Sequence, residues 1–300
     1  MDNISETDPA RTTPLKTRSF FGKIMRGQGS DTSSTQTPTE NDQNSENSSE
    51  NSLPPLSELN LHGYSKCSHH KLMDQLLAAD IRGLLPPRLQ LYDNWELIYS
   101  LEQDGISLNT LYRHSSPEWQ QEQLRKKEGK KTGLGYAENV VKTMVLFGLE
   151  GPTSARAHGY ILVIQDEKKN RFGCFINEPL RPNDHRRYYG NGECFLWKTE
   201  WIGEKLAKTH ENDPRRQQRF KAFPYTGVND NLIYSNHDFI AIGSSLGNNG
   251  LWIDKLLYMG VSYPCETFGN EILNEHGHTG HKYGKFKIIS LELWRVGNLA

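Results

Sequence analysis

The stretch YILVIQDEKKNRFGCFINE, residues 160–178, decides the fold. Two apolar runs, Tyr160 to Asp166 and Phe172 to Glu178, flank Glu167, Lys168, Lys169 and Asn170, a polar turn of hairpin size. Short runs rich in Ile, Val and Phe and bounded by turn residues read as β-strands. The same signature recurs downstream. ECFLWK (from Glu193), RFKAF (from Arg219), NLIYS (from Asn231), DFIAIGS (from Asp238), GLWID (from Gly250) and FKIISLELWRV (from Phe286) are further strand candidates. Asn229, Asp230 and Asn231, and the run Gly247, Asn248, Asn249 and Gly250, supply residues that tolerate positive φ in tight turns. In the last run Phe286, Ile288, Ser290, Glu292, Trp294 and Val296 share one face, and Ile289, Leu291, Leu293 and Arg295 the other. Apolar residues on both faces place this strand inside the structure. Many short strands with turns between them predict an antiparallel two-sheet β-sandwich.

Upstream of the hairpin the pattern changes. Ser68 is positioned to cap a helix from His69 to about Leu84, with Leu72, Leu76, Leu77 and Leu84 as its apolar stripe and Pro86 and Pro87 ending it. Trp95, Leu97, Tyr99 and Leu101 alternate with polar residues as a half-buried strand does. Gly105 breaks that strand, and Ser107 begins a short helix carrying Leu108 and Leu111. The class is therefore α+β: a sandwich flanked by short helices. Two polar stretches, about 116–156 and about 203–219, read as insertions into it. The second half of the first carries a helical apolar pattern with Val140, Val141, Met144, Val145 and Phe147.

The first 52 residues read as a separate arm, and 53–300 as the folded domain. Gln28 to Ser52 contains no Lys, no Arg and no hydrophobic residue. Such a segment buries too little apolar surface to offset the entropy of ordering, so disorder is expected. Ahead of it, RTTPLKTRSFFGKIMR (Arg11 to Arg26) carries five basic residues, no acidic ones, and Phe20, Phe21, Ile24 and Met25. That composition suits an amphipathic membrane-surface segment or a mitochondrial presequence, although Asp2, Glu6 and Asp8 speak against the latter.

Composition narrows the function. The chain has 35 basic and 36 acidic residues, a net charge of -1. This balance does not suggest nucleic-acid binding, which usually shows a basic excess. Mean hydropathy is -0.72. No apolar run approaches the ~20 residues of a membrane-spanning helix. The cysteines Cys67, Cys174, Cys194 and Cys265 form neither a CxxC pair nor a disulfide framework, which fits free thiols in an intracellular, reducing compartment.

Four motifs invite chemical readings. Gly243-Ser244-Ser245-Leu246-Gly247 matches the nucleophile elbow G-x-S-x-G, but Asn248, Asn249 and Gly250 follow it where an elbow needs a helix. His276, His278 and His281 have the chemistry of zinc ligands, yet sit in a glycine-rich loop without an obvious fourth. Cys194 precedes Phe195, Leu196 and Trp197 and reads as core, while Cys265 lies in a loop. Arg181, His185, Arg186 and Arg187 with Tyr188 and Tyr189 suit either an acidic partner or a solvated turn. No cofactor motif is present.

Segments beyond the strand pattern carry a resemblance. LPPRLQLYDNWELIYSLEQDGISLNTLY, GYILVIQD, FGCFINEPLRP, YYGNGECFLWK, FPYTGVNDNLIYSNHDFIAIG, GLWIDKLLYMGVSYPCETFGNEIL and FKIISLELWRVG, taken in order, resemble the TLDc domain of the oxidation resistance protein family, most closely its short fungal members. The resemblance covers about 85–297 apart from the two insertions. It implies two antiparallel sheets flanked by short helices, and protection against oxidative damage without established catalysis. It also implies binding to the cytosolic sector of the vacuolar proton-pumping ATPase and promotion of its disassembly. Fungal members are often assigned to mitochondria, so mitochondrion and cytoplasm are both expected. The family supplies no agreed catalytic residues.

The resulting expectation is a non-catalytic regulatory module with no cofactor. Asn191, Glu193, Asn229 and Asn270, polar residues beside glycine turns, are the candidate partner-binding residues. The competing expectation is a weak redox-active or hydrolytic enzyme using Cys194, Cys265 or Ser245.

Overall fold

The hairpin quoted above lies inside the main sheet of the computed structural model, which describes residues 56–132, 158–183, 185, 187–201, 218–275 and 280–299. It forms as β3 (His158–Asp166) and β4 (Arg171–Ile176), antiparallel, with Leu162 opposite Cys174. Asp166 shapes the turn. One carboxylate oxygen accepts Lys168 N at 3.0 Å and Asn170 N at 2.7 Å, the other accepts Asn170 Nδ2 at 2.9 Å, and Lys169 adopts φ 65°. Side-chain acceptance of this kind closes a turn without help from a partner strand.

The remaining strands are β1 (Asn60–His62), β2 (Asn94–Ser100), β5 (Phe195–Trp201), β6 (Gln218–Pro224), β7 (Ile233–Ser235), β8 (Phe239–Ser245), β9 (Asn248–Asp254), β10 (Met259–Ser262) and β11 (Gly284–Gly297). Hydrogen bonds join them in the order β6-β5-β4-β3-β11-β10-β9-β8-β7, with β2 also on β11 and β1 parallel to β2. The fold is thus mostly antiparallel β with short helices. Two separate sheets are not what the hydrogen bonding shows, because β11 joins the halves. Its beginning pairs with β10 and its remainder with β3 and β2.

Alternation along β3 sorts the core. Tyr160, Leu162 and Ile164 enter a large cluster that also holds Ile240, Ile242, Leu251 and Ile253 from β8 and β9. Ile161 and Val163 enter a second cluster with Leu77, Ala78 and Ile81. Burial on both faces explains why β3 is almost continuously apolar.

The interior position of β11 agrees with the sequence, but its faces do not. Ile288 stands opposite Asp166 and Ser290 opposite Gln165, so Ile289 is the extra residue of a bulge, 57% exposed. A one-residue bulge inverts the alternation beyond it. The face that begins with Phe286 and Ile288 therefore continues through Leu291 and Leu293, while Trp294 and Val296 join the second cluster.

The first long helix also departs from expectation. It runs Gln75–Arg82 (α1), capped by Asp74, whose Oδ1 accepts Leu77 N at 2.8 Å. Residues 69–73 stay non-helical because carboxylates take their N–H groups. Glu102 accepts His69 N at 2.8 Å and His70 N at 3.1 Å. Glu292, fully buried on β11, accepts Leu72 N at 2.9 Å and Met73 N at 3.2 Å. Tyr64 Oη and Trp294 Nε1, each at 2.9 Å, complete its shell. Local propensity loses here to long-range acceptors.

The other helices are α2 (Pro87–Gln90), α3 (Leu101–Asp104), α4 (Leu108–Ser115) and α5 (Pro117–Thr132). As expected, Ser107 caps α4, accepting Thr110 N at 3.2 Å. The polar run after Ser116 forms α5. Among the described residues, no helix is long and apolar enough to cross a membrane. The expected arm 1–52, the apolar pattern from Tyr136 to Leu149 and nearly all of 203–219 lie outside the described residues.

Candidate functional site

Two loops and the end of β8 meet around the side chain of Thr267: 225–232 before β7 and 263–271 after β10. The Thr267 hydroxyl lies within donating reach of Asn229 Oδ1 at 2.9 Å and Ser244 O at 3.1 Å, and accepts from Ser244 N at 3.2 Å and Cys265 Sγ at 3.4 Å. Asn229 Oδ1 also accepts Asn231 N at 3.0 Å, and Asn231 Nδ2 donates to Ser244 O at 3.0 Å. Thr226 reinforces the junction: its hydroxyl donates to Glu266 O at 2.7 Å and its N to Thr267 O at 3.0 Å. Glu266 N donates to Ser245 Oγ at 3.1 Å. Asn270, 3% exposed, donates through Nδ2 to Tyr263 O at 2.8 Å and Glu271 O at 2.9 Å. Its amide ties down the 263–271 loop.

A neighbouring turn, 189–193, presents the other two expected residues. Asn191 is exposed; its N donates to Asn177 Oδ1 at 3.1 Å and its Oδ1 accepts Glu193 N at 2.9 Å. Glu193 pairs with both terminal nitrogens of Arg88 on α2. The hydrogen bond from that guanidinium holds the Glu193 carboxyl below the usual carboxylate range. Tyr225 connects the two groups. A Cβ added to Gly192 would stand 2.8 Å from its ring, and its hydroxyl donates to Asp230 Oδ1 at 2.9 Å. The structure thus gathers Asn229 and Asn270 at the Thr267 junction, and Asn191 and Glu193 on the adjoining turn.

The residues of the competing reading occupy structural positions. Ser245 ends β8 and pairs with Asn248 across a two-residue turn, so no helix follows it. Cys265 is buried against Thr267. Cys194 is buried with its sulfur 3.2 Å from Asn177 Oδ1, and burial pushes its thiol up to about 11. A reactive thiol needs the opposite shift. Burial raises the Cys174 thiol as well. His276 and His278 lie outside the described residues, and His281 Nδ1 sits 2.8 Å from Glu275 Oε1. Arg181 lies over the Tyr189 ring at 4.3 Å and pairs with Glu178 at 2.9 Å; Arg186 lies outside the described residues.

The sequence reading missed several participants. Arg88 carried no sign of its partner, 105 residues away. Thr267 looked like an ordinary loop residue, yet it is the node. Leu246, at the β8–β9 turn, and Val228, in the 225–232 loop, stand 92% and 65% exposed. The signal for Leu246 was present: an apolar residue before Gly247, between two strands. A cleft of about 790 Å³ between α1 and the β5 and β6 strands is lined by Leu76, Leu84, Trp201 and Phe220. Two of the charges at its wall, Asp74 and Arg171, are paired with each other at 2.6 Å.

The profile of the TLDc domain matches residues 66–127 and 150–297. The chain is 52% identical over 304 residues to oxidation resistance protein 1 of Debaryomyces hansenii, covering 95% of this chain and 92% of the relative. It is 37% identical over 260 residues to oxidation resistance protein 1 of Saccharomyces cerevisiae, covering 83% and 80%. The protein of the same name in Kluyveromyces lactis is 38% identical over 250 residues, covering 83% of each.

Proposed function

This chain belongs to the TLDc-domain family, and from that premise we propose that it is a non-catalytic regulatory module of oxidative-stress resistance that binds the cytosolic sector of the vacuolar proton-pumping ATPase and promotes its disassembly. The role in oxidation resistance is the one the relatives' names carry. The observation that carries the binding reading is the Thr267 junction. Its polar side chains are committed to backbone carbonyls and amides, which holds two loops against the end of β8 in a fixed shape around exposed tips. A rigid frame with exposed tips suits recognition. With a net charge of -1, long-range attraction is weak, and affinity has to come from a shaped patch.

Asn191, Glu193 and Asn229 are the proposed contact residues, with Asn270 holding the loop behind them. The two halves of the sheet are taken to pack face to face as a sandwich, which the shared cluster supports. The domain is taken as 53–300, at work in the cytoplasm and the mitochondrion. The test is capture of the isolated ATPase sector by the full chain and by a chain shortened to begin at Leu53. Equal capture by both is expected. Absence of capture by the full chain overturns the ATPase reading, and loss on shortening alone moves the contact to the arm.

A further inference from the structure

The tip of the β8–β9 hairpin departs from the chemistry of its turn. Ser245 pairs with Asn248, which leaves a two-residue loop of Leu246 at φ 51° and Gly247 at φ 80°. Positive φ at both positions marks a type I′ turn, where Asn-Gly is favoured because other side chains crowd the backbone. Gly247 suits its place. Leu246 does not, and with 92% of its surface exposed, packing does not offset the strain. Val228, 65% exposed, is tied to it through the frame. Val228 N donates to Thr226 Oγ1 at 3.3 Å, Thr226 Oγ1 to Glu266 O at 2.7 Å, and Glu266 N to Ser245 Oγ at 3.1 Å, directly before Leu246. Neither aliphatic side chain serves the core. A strained residue that folding does not need is a mark of function.

We infer that Leu246 and Val228 form an apolar knob that inserts into an apolar pocket with a cationic rim on a protein partner. The rim follows from charge: Asp230, on the loop of Val228, and Glu266, on the adjoining loop whose N holds Ser245 Oγ, are both exposed. These carboxylates attract lysine or arginine on a protein and are repelled by the anionic surface of a membrane. The inference rests on the ATPase reading proposed above and names the face that reading uses.

The test compares the full chain with Leu246→Asn, Val228→Ser, the double variant and Glu266→Lys. Thermal melting is measured together with affinity for the isolated ATPase cytosolic sector and co-sedimentation with phosphatidylserine vesicles. Leu246→Asn is expected to melt no lower than wild type, because Asn tolerates positive φ, while binding the sector at least about tenfold more weakly. The double variant should lose capture, and Glu266→Lys should weaken it. Undiminished affinity of a folded Leu246→Asn chain overturns the knob and leaves the ATPase reading standing. Absence of capture by the unmodified chain overturns both. Loss of vesicle binding with sector affinity retained overturns the protein pocket in favour of a lipid surface.

Discussion

Glu193 and Glu271 both form ion pairs, and burial decides how much each contributes. Arg88 and Glu193 have side chains 41% and 28% exposed, so solvent screens their bidentate contact. Glu193→Lys places two cations together and should cost about 1 kcal/mol; the swap Arg88→Glu with Glu193→Lys should recover most of it, as a double-mutant cycle of melting curves will show. Any loss of partner binding by Glu193→Lys has to be read against that cost. Glu271 sits deeper. Its Oε1 lies 2.8 Å from Nζ of the fully buried Lys198 and also receives Lys221. Burial alone would raise this carboxyl, but hydrogen bonds and charge from the two lysines outweigh it and hold it at about 2, below its ordinary 4.5. A carboxyl with a depressed folded value contributes stability above its unfolded value and loses it as pH falls through the folded one. Stability should therefore decline by about 2 kcal/mol between pH 4.5 and pH 2, after discounting the part of the group that meets water. Denaturant melts across that window will check this, and Glu271→Gln should flatten the decline.

At the level of elements, the sequence reveals a strand more readily than its register. Trp95, Leu97 and Tyr99 alternate and form β2; Phe286 to Val296 is apolar on both sides and forms an interior strand. The bulge at Ile289 was not legible, because it is set by pairing with β3 and leaves no turn residue behind. The same limit applies to α1. Of its expected stripe only Leu76 and Leu77 lie in the helix, which buries Leu77, Ala78 and Ile81 and leaves Leu84 exposed beyond its end, and its start is delayed by acceptors on α3 and β11, Glu102 and Glu292, which no local pattern announces. Glu292→Ala should leave Leu72 N and Trp294 Nε1 without their acceptor in a buried site, with Met73 N left to Tyr64 Oη at 3.3 Å, cost about 3 kcal/mol, and speed amide exchange at Leu72 and Met73. Helix extension back to His69 with unchanged stability would contradict this account. Removal of β11 is more severe. A chain ending at Lys285 loses Phe286, Ile288, Leu291, Leu293, Trp294 and Val296, all buried, at ~1.5–3 kcal/mol each. That sum reaches the ~5–15 kcal/mol that holds a domain together. Circular dichroism of such a chain should show no cooperative melt, whereas a sharp transition at the wild-type temperature would remove β11 from its central role.

For the whole molecule, the mostly antiparallel β character with short helices was legible, the joining of the strands through β11 was not, and the candidate site was legible only in outline, for one physical reason. Strand alternation is written along the chain, whereas the loop junction is made between residues far apart in it. Thr226 meets Glu266, and Asn229 meets Thr267. The sequence showed polar turn residues but not which carbonyl each would satisfy, so Asn270 looked like a surface residue although its amide is buried in a loop. The same geometry frames a test of protection without catalysis. Ser245 Oγ holds Glu266 N, so Ser245→Ala should cost about 1 kcal/mol through one lost hydrogen bond. Cys194→Ala and Cys265→Ala each leave a small cavity in a buried site, at about 1 kcal/mol. If the module acts by shape, all three should protect cells against peroxide as well as the unmodified chain does, once the amount of folded protein is matched, because none of the three side chains touches the partner in the proposed geometry. Cells lacking their own copy, complemented with each variant and challenged with graded peroxide, supply the measurement. Loss of protection in a fully folded Cys265→Ala chain, with capture of the ATPase sector unchanged, would shift the explanation to thiol chemistry at the junction. Loss of protection in step with loss of capture would instead trace the effect to the loop frame.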